Sequence, residues 1–320
     1  MKINGVFEGG GVKGIGLAGA VSAAMDQGYE FQEVAGTSSG SIVAAFLAAG
    51  YRGDEMRNMI LQTPFSSFLQ RSWIFDSVKR IGPVVRLILK KGLYSGEALE
   101  NWVSQMLLVK GIRTFKDLAP NQLKIIASDI SQGKLLVLPD DIAQYGIDPL
   151  KLSVAKAIRM STSIPYFFDP VMLRKSVQHA DSNAPFQDQF VYIVDGGLLS
   201  NFPLWVFDHE FRVSRRPVIG FQLVGKLMGS SRNIKGPISM LQALFETMLN
   251  AHDGRYIEQH NRFRTVKIPT LDVQNTQFNL SKEKSLALYD AGYKASEQYF
   301  KSWSMELYEN DYEKYVIRKA

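Results

Sequence analysis

The chain has 320 residues, 46% of them hydrophobic and 21% charged, an ordinary globular mixture that excludes wholesale disorder. It contains no cysteine, which excludes disulfides, cysteine-ligated zinc, iron–sulfur clusters and a cysteine nucleophile. Lysine and arginine outnumber aspartate and glutamate by 37 to 31, a net charge of +6 that fits a soluble basic protein or one drawn to a polyanion.

The start, Met1 to Gly5, runs into a glycine cluster and not into the apolar core of a signal peptide. No apolar run approaches the roughly 18 residues needed to span a bilayer. The expectation is a cytoplasmic protein whose membrane contact is at most peripheral; the lack of cysteine fits a reducing compartment without contradicting export. His179, His209, His252 and His260 form no H-x-x-x-H or H-E-x-x-H pair, so no metal site is expected.

In chain order, Lys2 to Phe7 reads as a short strand ending in glycines, and Gly14 to Gly28 as a helix with Ile15, Leu17, Ala18, Val21 and Met25 on its apolar face. Glu33 to Gly36 is a second strand, and Ser39 to Gly50, apolar almost all round, a buried helix. Strand, helix, strand, helix in so short a span predicts a parallel α/β sheet. Residues 54–118 read as mostly helical. Leu123 to Ala127 and Lys134 to Leu138 read as strands joined by a turn, and Leu152 to Met160 as a helix. Phe190 to Val194, Pro217 to Leu223 and Thr265 to Ile268 read as strands, Ile238 to Asn250 and Lys282 to Ser302 as helices. With no repeat, linker or low-complexity tract, residues 1–320 are expected to form a single domain, with helical additions at 54–118 and 282–320.

Three segments carry chemistry. Glu8-Gly9-Gly10-Gly11-Val12-Lys13-Gly14 joins the first strand to the first helix. Its glycines leave backbone N–H groups uncovered beside a helix N-terminus, a site for a phosphate, a carboxylate or an oxyanion. Gly9, Gly11 and Gly14 also satisfy G-x-G-x-x-G, so a dinucleotide site is an alternative. However, Glu33 stands on the wrong side of the second strand's end to bind ribose, and Ile15 stands where a Walker lysine belongs. Gly36-Thr37-Ser38-Ser39-Gly40 matches G-x-S-x-G between a strand and an apolar helix, the setting of a nucleophile elbow. Ser38 is the candidate nucleophile, and Ser39 is read as the helix-capping residue. Asp195-Gly196-Gly197 places an acid directly after a strand, where parallel strands would deliver it to the same sheet edge as Ser38. A Ser…Asp…His triad is the weaker reading, because too few strands precede Ser38; the histidines read as surface residues.

Taken together these segments resemble the patatin-like phospholipase family over roughly residues 3–207. Gly9 to Gly14 is similar to its G-G-G-x-[RK]-G oxyanion loop, Gly36 to Gly40 to its elbow, and Asp195 to Gly197 to its D-G-[GA] motif. Ala157 to Phe168 resembles its A-x-x-A-S-x-x-x-P-x-x-F block, with Met160 departing from the usual small residue. The resemblance implies a three-layer α/β/α fold with a mostly parallel central sheet, in which 208–320 completes the domain without a recognisable motif. It implies hydrolysis of fatty-acyl esters by a Ser38–Asp195 dyad, without metal or cofactor. Gly9, Gly10 and Gly11 would form the oxyanion hole, supported by Lys13, Gly14, Gly36, Gly40, Gly196 and Gly197. The expected partner is a lipid or acyl ester, with peripheral contact to an anionic membrane surface and no nucleic acid. Residues 73–91 include Pro83 to Lys91, with Arg86 and Lys90 at i,i+4, and read either as an interfacial lid or as an ordinary packing helix with a basic outer face. A nucleotide-binding protein and a non-catalytic lipid-binding adaptor are the competing function classes.

Overall fold

The computed structural model describes residues 1–69, 82–174, 189–208, 216–225 and 261–316, with scattered positions between 234 and 249. Lys2–Phe7 (β1), Ile15–Asp26 (α1), Glu30–Thr37 (β2) and Ser39–Ala48 (α2) form the expected opening units. Gly53–Gln62 (α3), Gly82–Lys90 (α4) and Glu97–Val109 (α5) supply the helical region, interrupted by the short strand Gly92–Tyr94 (β3). The expected strand pair is Leu123–Asp129 (β4) and Lys134–Leu138 (β5), followed by Val154–Ser161 (α6). Tyr166–Phe168 (β6) and Val171–Arg174 (β7) are additional to the expected elements. Phe190–Asp195 (β8), Val218–Val224 (β9), Thr265–Pro269 (β10), Lys282–Ser302 (α7) and Met305–Tyr315 (α8) complete the order. The helix expected over Ile238 to Asn250 lies partly outside the described residues; its described positions from Met240 to Leu249 are helical.

The main sheet runs β10-β9-β1-β2-β4-β8-β7, with β5 also paired to β4. β10, β9, β1, β2 and β4 are mutually parallel. β5 and β8 run antiparallel to β4, and β7 antiparallel to β8. The fold is thus mixed α/β, with a mostly parallel sheet flanked by helices.

Alternation along the strands divides the core between the two faces. Ile3, Phe7 and Val34 join a large cluster with α1, α2 and α7. Val6, Ala35 and Val218 point the other way, beneath Phe202 and Leu204. Helix α1 is apolar all round because it is covered by more than the sheet: α7 lies against it backbone to backbone. A methyl group on Gly19 would overlap the Tyr289 carbonyl, and one on Gly292 would overlap the Gly16 carbonyl. A second tie to the C-terminal region is the ion pair of Arg264, 1% exposed, whose guanidinium forks onto both Asp208 oxygens at 2.6 and 2.9 Å.

We propose that residues 1–320 unfold as one cooperative unit, because β10 and α7 complete the sheet and cover α1. Gly292→Val is expected to lower stability by about 3 kcal/mol through overpacking, in a single thermal transition. Two separable calorimetric transitions would contradict the single unit.

Candidate active site

The geometry of β4 brings the two ends of the site together. β5 occupies one edge of β4 over Ile125 to Asp129. β2 and β8 therefore share the opposite edge, β2 running parallel to β4 and β8 running against it. Thr37 pairs with Ile126, and Asp195 pairs with the next residue, Ala127. The two strands meet head to head, so Ser38 and Asp195 emerge side by side. This corrects the expectation that parallel strands deliver both residues: the strand that carries Asp195 arrives from the opposite direction.

Ser38 has φ +51° and ψ −125°, a backbone conformation that an L-residue adopts only under constraint. Three bonds hold it. Its N–H donates to Ser161 Oγ at 2.8 Å, Ser161 Oγ donates to the Ile126 carbonyl at 2.5 Å, and the Ser38 carbonyl accepts from Ser41 Oγ at 2.6 Å. Ser161 belongs to the A-x-x-A-S block, so that block braces the elbow; Met160 beside it is wholly buried in the core. Close packing enforces the flanking glycines: a methyl group on Gly36 would overlap the Gly40 carbonyl, and one on Gly40 the Phe7 carbonyl.

Asp195 is 1% exposed. Its N–H donates to the Ser163 carbonyl at 3.0 Å, and its Oδ1 accepts from the Gly197 N–H at 2.8 Å, as expected of the glycine turn. Gly196 abuts the Ile126 carbonyl that also receives Ser161. Burial nevertheless dominates and raises the Asp195 pKa to about 7, against the lowering effect of the Ser38 hydroxyl and the Gly197 N–H. Oδ2 is buried without a bond of ordinary geometry. Ser38 and Asp195 are thus neighbours, with Oδ2 and the Ser38 hydroxyl short of a hydrogen bond of ordinary geometry.

Two of the three expected oxyanion donors are engaged. Gly9 N–H donates to the Asn201 carbonyl at 3.1 Å, and Gly10 N–H to Ser39 Oγ at 3.0 Å. Gly11, held at φ +57° against the Asn275 carbonyl, has no partner for its N–H among the described residues. Ser39 is therefore not a capping residue: Ser38 occupies the cap position, and the Ser39 hydroxyl meets the glycine loop instead. Gly14 packs against the Ser39 side chain, and Lys13 is half-buried at the end of the loop's turn.

Asn201 has no counterpart among the sequence candidates. Its Nδ2 donates to the Gly9 carbonyl at 3.2 Å and lies 3.5 Å from Glu8 Oε1, while the other Glu8 oxygen accepts from Leu223 N–H at 2.5 Å. Its Oδ1 sits between Gly9 and Gly197. The one available signal was a buried-type Asn following the Asp-Gly-Gly turn and preceding Phe202-Pro203.

Beside Ser38 and Gly11 opens a cavity of about 100 Å³, walled by apolar side chains of α1, α2, α3 and α5 that include Val43, Phe46, Met59 and Trp102. Ser38, Ser39 and Thr162 are the only polar side chains on its described wall, and no charged residue reaches it. The basic outer face expected of residues 73–91 is corrected: Arg86 is 3% exposed and forks onto Asp169 at 2.8 and 2.9 Å. Ile88, Leu89, Lys90 and Lys91 are exposed; Trp73, Phe75, Lys79 and Arg80 lie outside the described residues, as do all four histidines. Among the described residues no group of carboxylates is placed to hold a metal ion, and no helix is long and apolar enough to cross a membrane.

The Asp195 carboxyl binds a proton in the folded state up to about pH 7, whereas an unfolded one releases it near pH 4. Stability from this group is therefore full below about pH 4 and lost as the pH rises to about 7. Asp195→Asn is expected to melt above the wild type at about pH 8, with the gap closing on acidification. Equal melting temperatures at both pH values would contradict the raised pKa.

Residues 5–208 match the family model described as patatin-like phospholipase. Over 305 residues the chain is 41% identical to the uncharacterized protein YqhO of Bacillus subtilis (strain 168), covering 95% of this chain and 100% of that one. It is 24% identical over 215 residues to the probable lipid hydrolase 463L of Invertebrate iridescent virus 6, covering 62% of this chain and 61% of that one. VipD from Legionella pneumophila superposes with a TM-score of 0.50 at 16% identity, covering 94% of this chain and 67% of VipD, a likeness of fold alone. On the family match, which spans more than half of its residues, the chain belongs to the patatin-like phospholipase family.

Proposed function

We propose that the protein is a lipid acyl hydrolase that cleaves fatty-acyl esters through Ser38 and Asp195. The observation that carries this reading is the juxtaposition of a constrained serine, a buried carboxyl beside it and an apolar cavity opening on the serine. A cavity so lined fits a hydrocarbon chain; it offers nothing to a nucleotide's ribose or phosphates. Glu33, the acid on the second strand, accepts from Asn4 Nδ2 at 2.9 Å, which also weakens the nucleotide alternative. The family and the viral relative named as a probable lipid hydrolase support the same substrate class.

In this mechanism the ionised Asp195 takes the Ser38 proton while Oγ attacks the acyl carbonyl carbon. Negative charge develops on the carbonyl oxygen beside Gly11 N–H. Gly10 N–H joins it once the Ser39 hydroxyl turns away; Gly9, bonded to Asn201, holds the loop's shape. The tetrahedral intermediate collapses, the C–O bond breaks, and Asp195 returns the proton to the departing alcohol. Asp195 then deprotonates water, which attacks the acyl-enzyme; the fatty acid leaves and Ser38 recovers its proton. A carboxyl with a pKa of about 7 suits a base working near neutrality.

The test is hydrolysis of a chromogenic fatty-acyl ester. Ser38→Ala and Asp195→Asn are each expected to lower kcat about 10³–10⁴-fold. For the wild type, kcat/KM is expected to rise with pH to a plateau above about 7, tracking ionisation of the base. Wild-type-like hydrolysis by either variant would overturn the dyad, and a wild type that cleaves no ester would leave the non-catalytic adaptor as the better reading.

A further inference from the structure

The apolar cavity has a neighbour. A second cavity of about 520 Å³ lies between the end of α3 and the start of α7, where Gln62, Thr63, Asn279, Lys282 and Ser285 give its wall a mixed polar and apolar character. Ile60, Phe65 and Phe278 line both cavities. These three side chains stand as a partition between an apolar space that reaches Ser38 and one of mixed character that includes a lysine.

Phe278 is the most firmly placed of the three. It is 8% exposed and stacks on Phe167 with ring centroids 5.6 Å apart and planes at 15°. It meets Phe168 edge-on at 6.0 Å and 82°, and Phe168 itself lines the apolar cavity. Its segment is tied to the glycine loop, because the Asn275 carbonyl accepts from Val12 N–H at 3.1 Å. This segment lies beyond residues 5–208, the span that the family model matches, so the wall it builds belongs to this chain's own C-terminal region.

We propose that Phe278, with Ile60 and Phe65, sets the length of acyl chain that the cavity accepts. The proposal rests on the reading of Ser38 as an acyl-transfer nucleophile. A methylene that fits the apolar space gains the usual burial energy, whereas one forced past the partition must displace a packed aromatic ring. Truncating the ring joins the two cavities and removes that limit.

The experiment measures kcat/KM on p-nitrophenyl esters from butyrate to palmitate. Phe278→Ala is expected to raise the ratio of long-chain to short-chain kcat/KM at least tenfold, and Phe278→Trp to lower it, about the discrimination that one or two methylenes provide. Phe65→Ala, on a different segment, is expected to move the ratio in the same direction as Phe278→Ala and serves if the latter does not fold. An unchanged ratio in all folded variants overturns the proposal. So does a uniform gain at every chain length, which would make the partition an entrance. Calorimetric titration of Ser38→Ala with free fatty acids of increasing length separates this idea from its premise. If the wild type cleaves no ester while Phe278→Ala still shifts the length dependence of binding, the partition stands and the hydrolase reading falls.

Discussion

Along one edge of β4, two strands run toward each other and stop at adjacent residues. This arrangement positions the chemistry more than any single motif does. β2 ends opposite Ile126 and β8 opposite Ala127, so residues far apart in the chain leave the sheet as neighbours. The Ile126 carbonyl lies at the junction: it receives Ser161, whose hydroxyl in turn accepts the amide of the strained Ser38, and Gly196 packs against it. A change of register in either strand would move one side chain to the other face of the sheet and dissolve the site.

The same junction stores energy. Ser38 is held in a backbone conformation that costs on the order of 1–3 kcal/mol, and Asp195 is buried deeply enough to resist ionisation at neutral pH. Both penalties are carried by the surrounding core and by the close packing of α1 on α7. Their effect is a serine that stands clear of its strand and a carboxyl whose affinity for a proton matches that of a working base. The brace extends outward: Arg159 donates to Ser163 Oγ, and the Ser163 carbonyl accepts the Asp195 amide, while Arg159 also holds the Asp169 carbonyl at 2.6 Å.

Much of this was legible in the sequence because it is local. Glycine clusters, a G-x-S-x-G between strand and helix, and an acid at a strand end each announce themselves within a few residues. The opening β-α-β-α unit and the long helix Lys282–Ser302 follow from periodicity. What remained hidden depends on distant partners. The direction of β8 cannot be read from its own residues, so the convergence of Ser38 and Asp195 was expected for the wrong reason. Helical spacing put Arg86 beside Lys90, but Asp169 draws the guanidinium inward. Ser39 looked like a cap until the glycine loop folded over it. Asn201, Asn275 and Phe278 carry no motif, because their roles arise from what the fold places against them.

The most direct measurement is peptide mapping by mass spectrometry after reaction with a long-chain alkyl fluorophosphonate, followed across pH. One adduct is expected, on Ser38, forming at a rate that climbs to a plateau above about pH 7 in the wild type and falls by orders of magnitude in Asp195→Asn. An adduct on a different residue, or a labelling rate at Ser38 that ignores both pH and the loss of the Asp195 carboxylate, would contradict the account.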